Sequence, residues 1–165
     1  MDIRRVRPDD WQALRALRLR ALESDSDAFG ATFAEALARP DEEWQARAAS
    51  AGIATFVAET TDGFVGMGSV GAAPERPAVA AIYGMWVAPE ARGEGIGGGL
   101  MDALEGWARD AGYRDIGLGV TTSNEPAIRL YEAKGYVDIG ERFPLREGSP
   151  RVVQIMAKPL SSVDR

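Results

Sequence analysis

The apolar run Ile82-Tyr83-Gly84-Met85-Trp86-Val87 is followed by Arg92-Gly93-Glu94-Gly95-Ile96-Gly97-Gly98-Gly99, and then by Leu100, Leu104 and Trp107 at helical spacing. An extended segment therefore enters a glycine-rich turn, and a helix leaves it. Such a junction leaves backbone N–H groups unpaired at a helix N-terminus, where the dipole favours negative charge. It offers a seat to a phosphate-bearing ligand. Without that ligand, a glycine-rich helix start only weakens the helix.

The elements on either side bound the fold. Asp2 to Arg7 reads as a first strand, closed by Pro8, and Asp9-Asp10 open a helix carrying Trp11, Leu14, Leu17 and Leu22 on one face. Ser24 to Ala28 is a polar break, Phe29 to Leu37 fits helix or loop, and Pro40 to Trp44 opens another short helix with its acids in the first turn. Ile53 to Glu59 and Phe64 to Val70 are strand-like and joined by Thr61-Asp62-Gly63, a hairpin signal. Ala72 to Pro77 reads as a loop before the strand that ends at Val87. Gly95 to Ala111 is a helix stopped by Gly112, Ile116 to Val120 a strand, and Asn124 to Lys134 a helix stopped by Gly135. Tyr136 to Ile139 and Val152 to Met156 close the chain as strands. The expected order is β-α-α-β-β-β-α-β-α-β-β, a mixed α/β domain spanning 1–165.

Composition narrows the chemistry. Cysteine and histidine are both absent from the 165 residues, which excludes disulfides, a thiolate nucleophile, thiolate or imidazole metal ligands and a Ser-His-Asp triad. No metal is expected. Proton transfer falls to Tyr, Asp, Glu, Lys or water. A net charge of −6 argues against nucleic acid as a partner, since such proteins present a basic face. No apolar run approaches the roughly 20 residues that span a bilayer. Met1 to Arg5 lacks a signal-peptide core, so a cytoplasmic protein without a membrane partner is expected.

Gly93-x-Gly95-x-x-Gly98 formally satisfies the dinucleotide-binding pattern, but that pattern belongs at the first strand–helix turn of a repeated βαβ unit. Here three strands and two helices precede it, and the next strand ends at Val120-Thr121 without an acid. The P-loop pattern fails as well, for no Gly-Lys-Ser/Thr follows.

Two segments carry a more specific likeness. Val87 to Gly97 resembles the acyl-CoA signature of the GNAT N-acetyltransferase superfamily, Gln/Arg-x-x-Gly-x-Gly/Ala. Asn124-Glu125-Pro126-Ala127-Ile128-Arg129-Leu130-Tyr131 through Gly135-Tyr136 resembles the same family's second motif, in the same order. The resemblance implies a central, mostly antiparallel sheet of about seven strands flanked by helices, with parallel strands 4 and 5 splayed apart. It also implies acetyl-CoA as acyl donor and a small amine or peptide as acceptor. Members often form homodimers, a state the resemblance leaves open for this chain.

By that resemblance, the backbone of Met85, Trp86 and Val87 pairs with the pantetheine arm, and an N–H near Val87 meets the oxyanion. Arg92, Gly93, Glu94, Gly95, Ile96, Gly97 and Gly98 surround the pyrophosphate, with Arg92 either on phosphate or solvated at the loop edge. Asn124 bonds the cofactor arm, and Tyr131 holds or protonates the departing thiolate. By residue type alone, Asn124 would be an N-cap and Tyr131 a half-buried core aromatic. The glutamate that family members place on a splayed strand is missing, with Ala81 and Gly119 at the corresponding positions. Glu35, Glu59 and Glu125 are weak substitutes, more simply read as surface acids. Ser24 to Leu37 and the loop near Phe143 to Pro150 should line the acceptor pocket, with Phe29, Phe33 and Trp86 chiefly packing.

Overall fold

The computed structural model describes residues 1–160. Seven strands form one sheet in the order β1-β2-β3-β4-β5-β7-β6: β1 Asp2–Arg5, β2 Ala54–Thr60, β3 Gly63–Ala73, β4 Arg76–Val87, β5 Asp115–Thr121, β6 Val137–Pro144 and β7 Val152–Pro159. Every neighbouring pair is antiparallel except β4–β5. The helices are α1 Trp11–Ser24, α2 Phe33–Ala38, α3 Asp41–Ala49, α4 Ile96–Asp110 and α5 Glu125–Ala133.

The central strands are buried on both faces, because helices cover each. On one face α1 and α3 bring Leu14, Leu17, Leu22 and Trp44 against Val57, Met67 and Trp86. On the other, α4 and α5 bring Met101, Leu104 and Tyr131 against Val70, Ile82, Ile116 and Leu118. No helix among the described residues is long and apolar enough to cross a membrane.

Three segments differ from the sequence expectation. Phe33–Ala38 is a helix, started by a reciprocal box in which Thr32 Oγ1 accepts from the Glu35 N–H (3.1 Å) and Glu35 accepts from the Thr32 N–H (2.8 Å). That adds a helix to the expected order. The expected loop at Ala72–Pro77 is a tight hairpin, since β3 runs to Ala73 and β4 starts at Arg76. Strand β6 passes Ile139 and reaches Pro144 by a bulge at Gly140, whose N–H donates to Asp138 (2.9 Å).

The feature that positions the site is a break in β4. Its parallel pairing with β5 covers only Val79–Ile82 against Asp115–Leu118, although both strands continue. Just beyond, Met67 opposes Trp86 and Ser69 opposes Tyr83, so Gly84 and Met85 together face a single residue of β3. This is a β-bulge, with Gly84 at φ 68°, a left-handed conformation that glycine adopts without penalty. The bulge turns β4 off the line of β5 and opens the sheet between them.

Candidate active site

A groove of about 410 Å³ runs along the end of β4, past the glycine-rich turn and the start of α4, to α5. After β4 a single turn at Pro89–Ala91 leads to Gly93 and Gly95, both at φ 82°. A Cβ on Gly95 would meet no atom, so the position needs glycine for its left-handed backbone rather than for space. Helix α4 starts at Ile96, whose side chain turns into the core. The Gly99 N–H donates to the Gly95 carbonyl (3.0 Å), leaving the N–H groups of Ile96, Gly97 and Gly98 outside the helical ladder. Three amides and the positive end of a helix dipole thus face one groove, an arrangement suited to phosphate. Gly97 and Gly99 have a packing role too: a Cβ would lie 3.0 Å from Leu130 and 2.5 Å from Ile3.

Arg92 is committed to the protein. Its Nε donates to the Val87 carbonyl (2.9 Å) and its Nη2 pairs with Asp25 (3.0 Å), which also accepts from Trp86 Nε1 (2.6 Å). The side chain therefore folds the turn back onto β4, in place of standing free at the loop edge. Burial opposes ionisation of Asp25, but the bonds from Trp86 and Arg92 outweigh it and hold the carboxyl below its ordinary range. Asp25 was not recognisable from the sequence, because its partners lie more than sixty positions away.

Tyr131 lies on α5 at the other wall, 7% exposed, with its ring edge-on to Tyr136 at 6.2 Å. Among the described residues its hydroxyl forms no hydrogen bond, and burial pushes its pKa up to about 12. Asn124 caps α5, its Oδ1 accepting from the Ala127 N–H at a long 3.4 Å. Both residues line the groove and also a smaller space, of about 80 Å³, between the separated strands beside Tyr83, Gly84 and Gly119. On β4 the Ala88 N–H donates to the Val65 carbonyl of β3 (2.8 Å). Strand alternation therefore turns the N–H and C=O of Val87 away from β3 and toward the groove, where Arg92 already holds the carbonyl.

Met85, Trp86, Val87, Arg92, Gly93, Gly95, Ile96, Gly97, Gly98, Asn124 and Tyr131 all border the groove; exposed Glu94 does not. No carboxylate lines the opening among the described residues. Glu35 is engaged in capping α2, and the Thr32 N–H and hydroxyl hold its carboxyl below the usual range. Glu59 pairs with Arg4 (3.0 Å), while Glu125 is the first residue of α5.

The segments expected to line an acceptor pocket are joined by Arg146, which donates to the carbonyls of Ser26 (2.8 Å), Phe29 (2.9 Å) and Gly30 (3.2 Å). Thr121 on β5 donates to the Asp27 carbonyl (2.8 Å), tying the same linker to the sheet. Phe29 and Trp86 belong to the core of the α1 face, with Phe33 packed against them.

Comparison with known proteins follows the same lines. A family model described as Acetyltransferase (GNAT) family matches residues 12–136. A mycothiol acetyltransferase of Nocardiopsis dassonvillei is 32% identical over 161 residues, 89% of this chain and 47% of that protein. N-acetyltransferase 8B of Rattus norvegicus is 32% identical over 94 residues, 54% of this chain and 41% of the relative. The chain spans less than half the length of these curated relatives. A ribosomal-protein-alanine N-acetyltransferase from Brucella melitensis superposes with a TM-score of 0.80 at 25% identity, over 97% of this chain and 100% of that one. A GNAT-family acetyltransferase from Streptococcus pneumoniae gives 0.80 at 22% identity, covering 97% and 99%.

Proposed function

The chain belongs to the acetyltransferase (GNAT) family, and from that premise we propose that it moves the acetyl group of acetyl-CoA to a primary amine of a small molecule or peptide by direct attack. The observation that carries this reading is the continuity of the groove. It runs from the free amides of α4 to the uncommitted Tyr131 hydroxyl, and there meets the opening between β4 and β5. The amides of Ile96, Gly97 and Gly98 hold the pyrophosphate. The edge of β4 at Met85 to Val87 takes the pantetheine arm as an added strand.

The amine lone pair attacks the thioester carbonyl, and the Val87 N–H meets the oxygen as charge develops. When the carbon–sulfur bond breaks, Tyr131 gives its proton to the thiolate, the proton lost from nitrogen passes to water, and Tyr131 regains a proton from water before the next turnover. No carboxylate stands at Ala81 or Gly119 to take that proton, so the acceptor enters as its neutral fraction. The same absence favours one other reading, a non-catalytic acyl-CoA-binding module.

Release of free CoA over a panel of amines separates the two. Steady turnover with at least one amine is expected; binding of acetyl-CoA with no turnover on any of them establishes the binding module. CoA, and not NAD, should raise the Tm, by about 2.7 kcal/mol of stabilisation at one hundred times its Kd. Gly95→Glu, which adds strain and negative charge beside the amides, should abolish that rise. A full rise in the variant would remove the pyrophosphate assignment.

A further inference from the structure

On the face of the sheet away from α4 and α5, three arginines converge without a carboxylate. Arg18 of α1 lies over the Phe29 ring at 4.8 Å, Arg47 of α3 over Tyr83 at 5.8 Å, and Arg39, after α2, over Trp44 at 5.7 Å. Among the described residues none of the three side chains forms an ion pair or a hydrogen bond. Elsewhere Arg4 pairs with Asp10, Arg20 with Glu90, Arg142 with Asp138 and Arg151 with Asp27, whereas these three sit together on one face with aromatic rings as their neighbours. Glu35 feels the charge of Arg39, but its carboxylate is bonded to Thr32. The pKa of Arg18 falls to about 10, through burial first and then the like charges of Arg47 and Arg39.

Their position gives this charge a use. A Cβ on Gly84 would lie 3.0 Å from Arg18 Nη1, so the guanidinium rests against the backbone of the bulge. Tyr83, beside it, lines the opening that leads through the sheet to Tyr131. An acceptor entering on this face, opposite the CoA groove, would pass Arg18 at the bulge and Arg47 over Tyr83. Stacking occupies the flat face of each guanidinium and leaves its N–H edge to bond an anion.

We propose that Arg18, Arg39 and Arg47, with Tyr83, anchor the acceptor, and that the acceptor is a small amine bearing an oxyanion, a carboxylate or a phosphate, close to its nucleophilic nitrogen. This rests on the transferase reading above. Truncating one side of a buried charged pair costs enough to set a preference of about 30-fold or more in kcat/KM.

The test is CoA release by the full chain with matched acceptors: an amino acid, its amide and its decarboxylated amine, and phosphoethanolamine against ethanolamine. The anionic member of at least one set should be preferred by about 30-fold, and the preferred set identifies carboxylate or phosphate. Arg18→Gln and Arg47→Gln should each raise KM for that acceptor by about tenfold or more, with Arg18→Lys restoring part of the loss. The CoA-induced rise in Tm reports that each variant is folded; if Arg18→Gln fails it, the half-exposed Arg47 decides. Neutral acceptors used as well as anionic ones, or a preference that survives in both variants, overturns the proposal while leaving the transferase standing. No turnover on any amine despite CoA binding overturns both.

Discussion

Burial keeps the Tyr131 hydroxyl protonated well past the pH at which an exposed tyrosine ionises. In the proposed reaction this leaves Tyr131 holding the proton that the departing thiolate takes up, although the same burial makes it a weaker acid. Its pKa of about 12 against the ordinary 10.0 fixes the sign of the pH response. Below pH 10 the tyrosine stays in its acid form, so kcat/KM should show no alkaline fall through that point. The acid limb should come from the acceptor, since no carboxylate lines the opening. Two amines of different pKa should therefore shift that limb by the difference between them; a limb fixed near a carboxylate value would reveal an enzymic base. Tyr131→Phe should lower kcat by roughly 100-fold or more, in line with loss of a general acid, and leave the Kd for acetyl-CoA near its original value. An unchanged kcat would remove Tyr131 from the chemistry.

Helix α5 shows how one element serves fold and site together. Asn124 caps it through Oδ1, while the side-chain NH2 remains available to the groove that the residue lines. Asn124→Ala should cost about 1 kcal/mol of stability in a urea titration, the usual value of a lost cap. Asn124→Asp keeps the accepting oxygen and removes the donors. It should be close to wild type in stability yet weaker for acetyl-CoA by calorimetry, whereas a pure cap would leave that affinity unchanged.

Elements of this kind were legible in the sequence because their signals are local: α5 by Asn124 and Gly135, α4 by the glycine turn and its apolar stripe. Helix α2 had a local signal as well, Thr32 three residues before Glu35, but six residues are too few to establish a period. The β3–β4 hairpin was obscured by Pro74 and Pro77, which suggest a loop although Pro77 sits near the start of β4. Partners joined only through space left no such trace. Arg92 was visible as a conspicuous cation; its engagement with Asp25 and the Val87 carbonyl was not.

Across the whole molecule, the two faces of the sheet do different work, and each is held by its own means. Beneath α4 and α5 a buried cluster joins helix to strand: Tyr136 donates to Glu105 (2.8 Å), and Lys158 donates to Glu105 (3.0 Å) and to the Lys134 carbonyl (2.7 Å). On the other face, packing by α1 to α3 and the clamp of Arg146 hold the linker in place. The break at Gly84 lies between them and has a kinetic consequence. A sheet opened in its middle has two entrances, so donor and acceptor need not take turns in one seat. The chain has no cysteine or histidine on which an acetyl group would readily be parked between them. In the proposed direct attack both substrates are then aboard before either product leaves. Double-reciprocal plots at several fixed acceptor concentrations should intersect; parallel lines would mean that the two entrances are used one after the other.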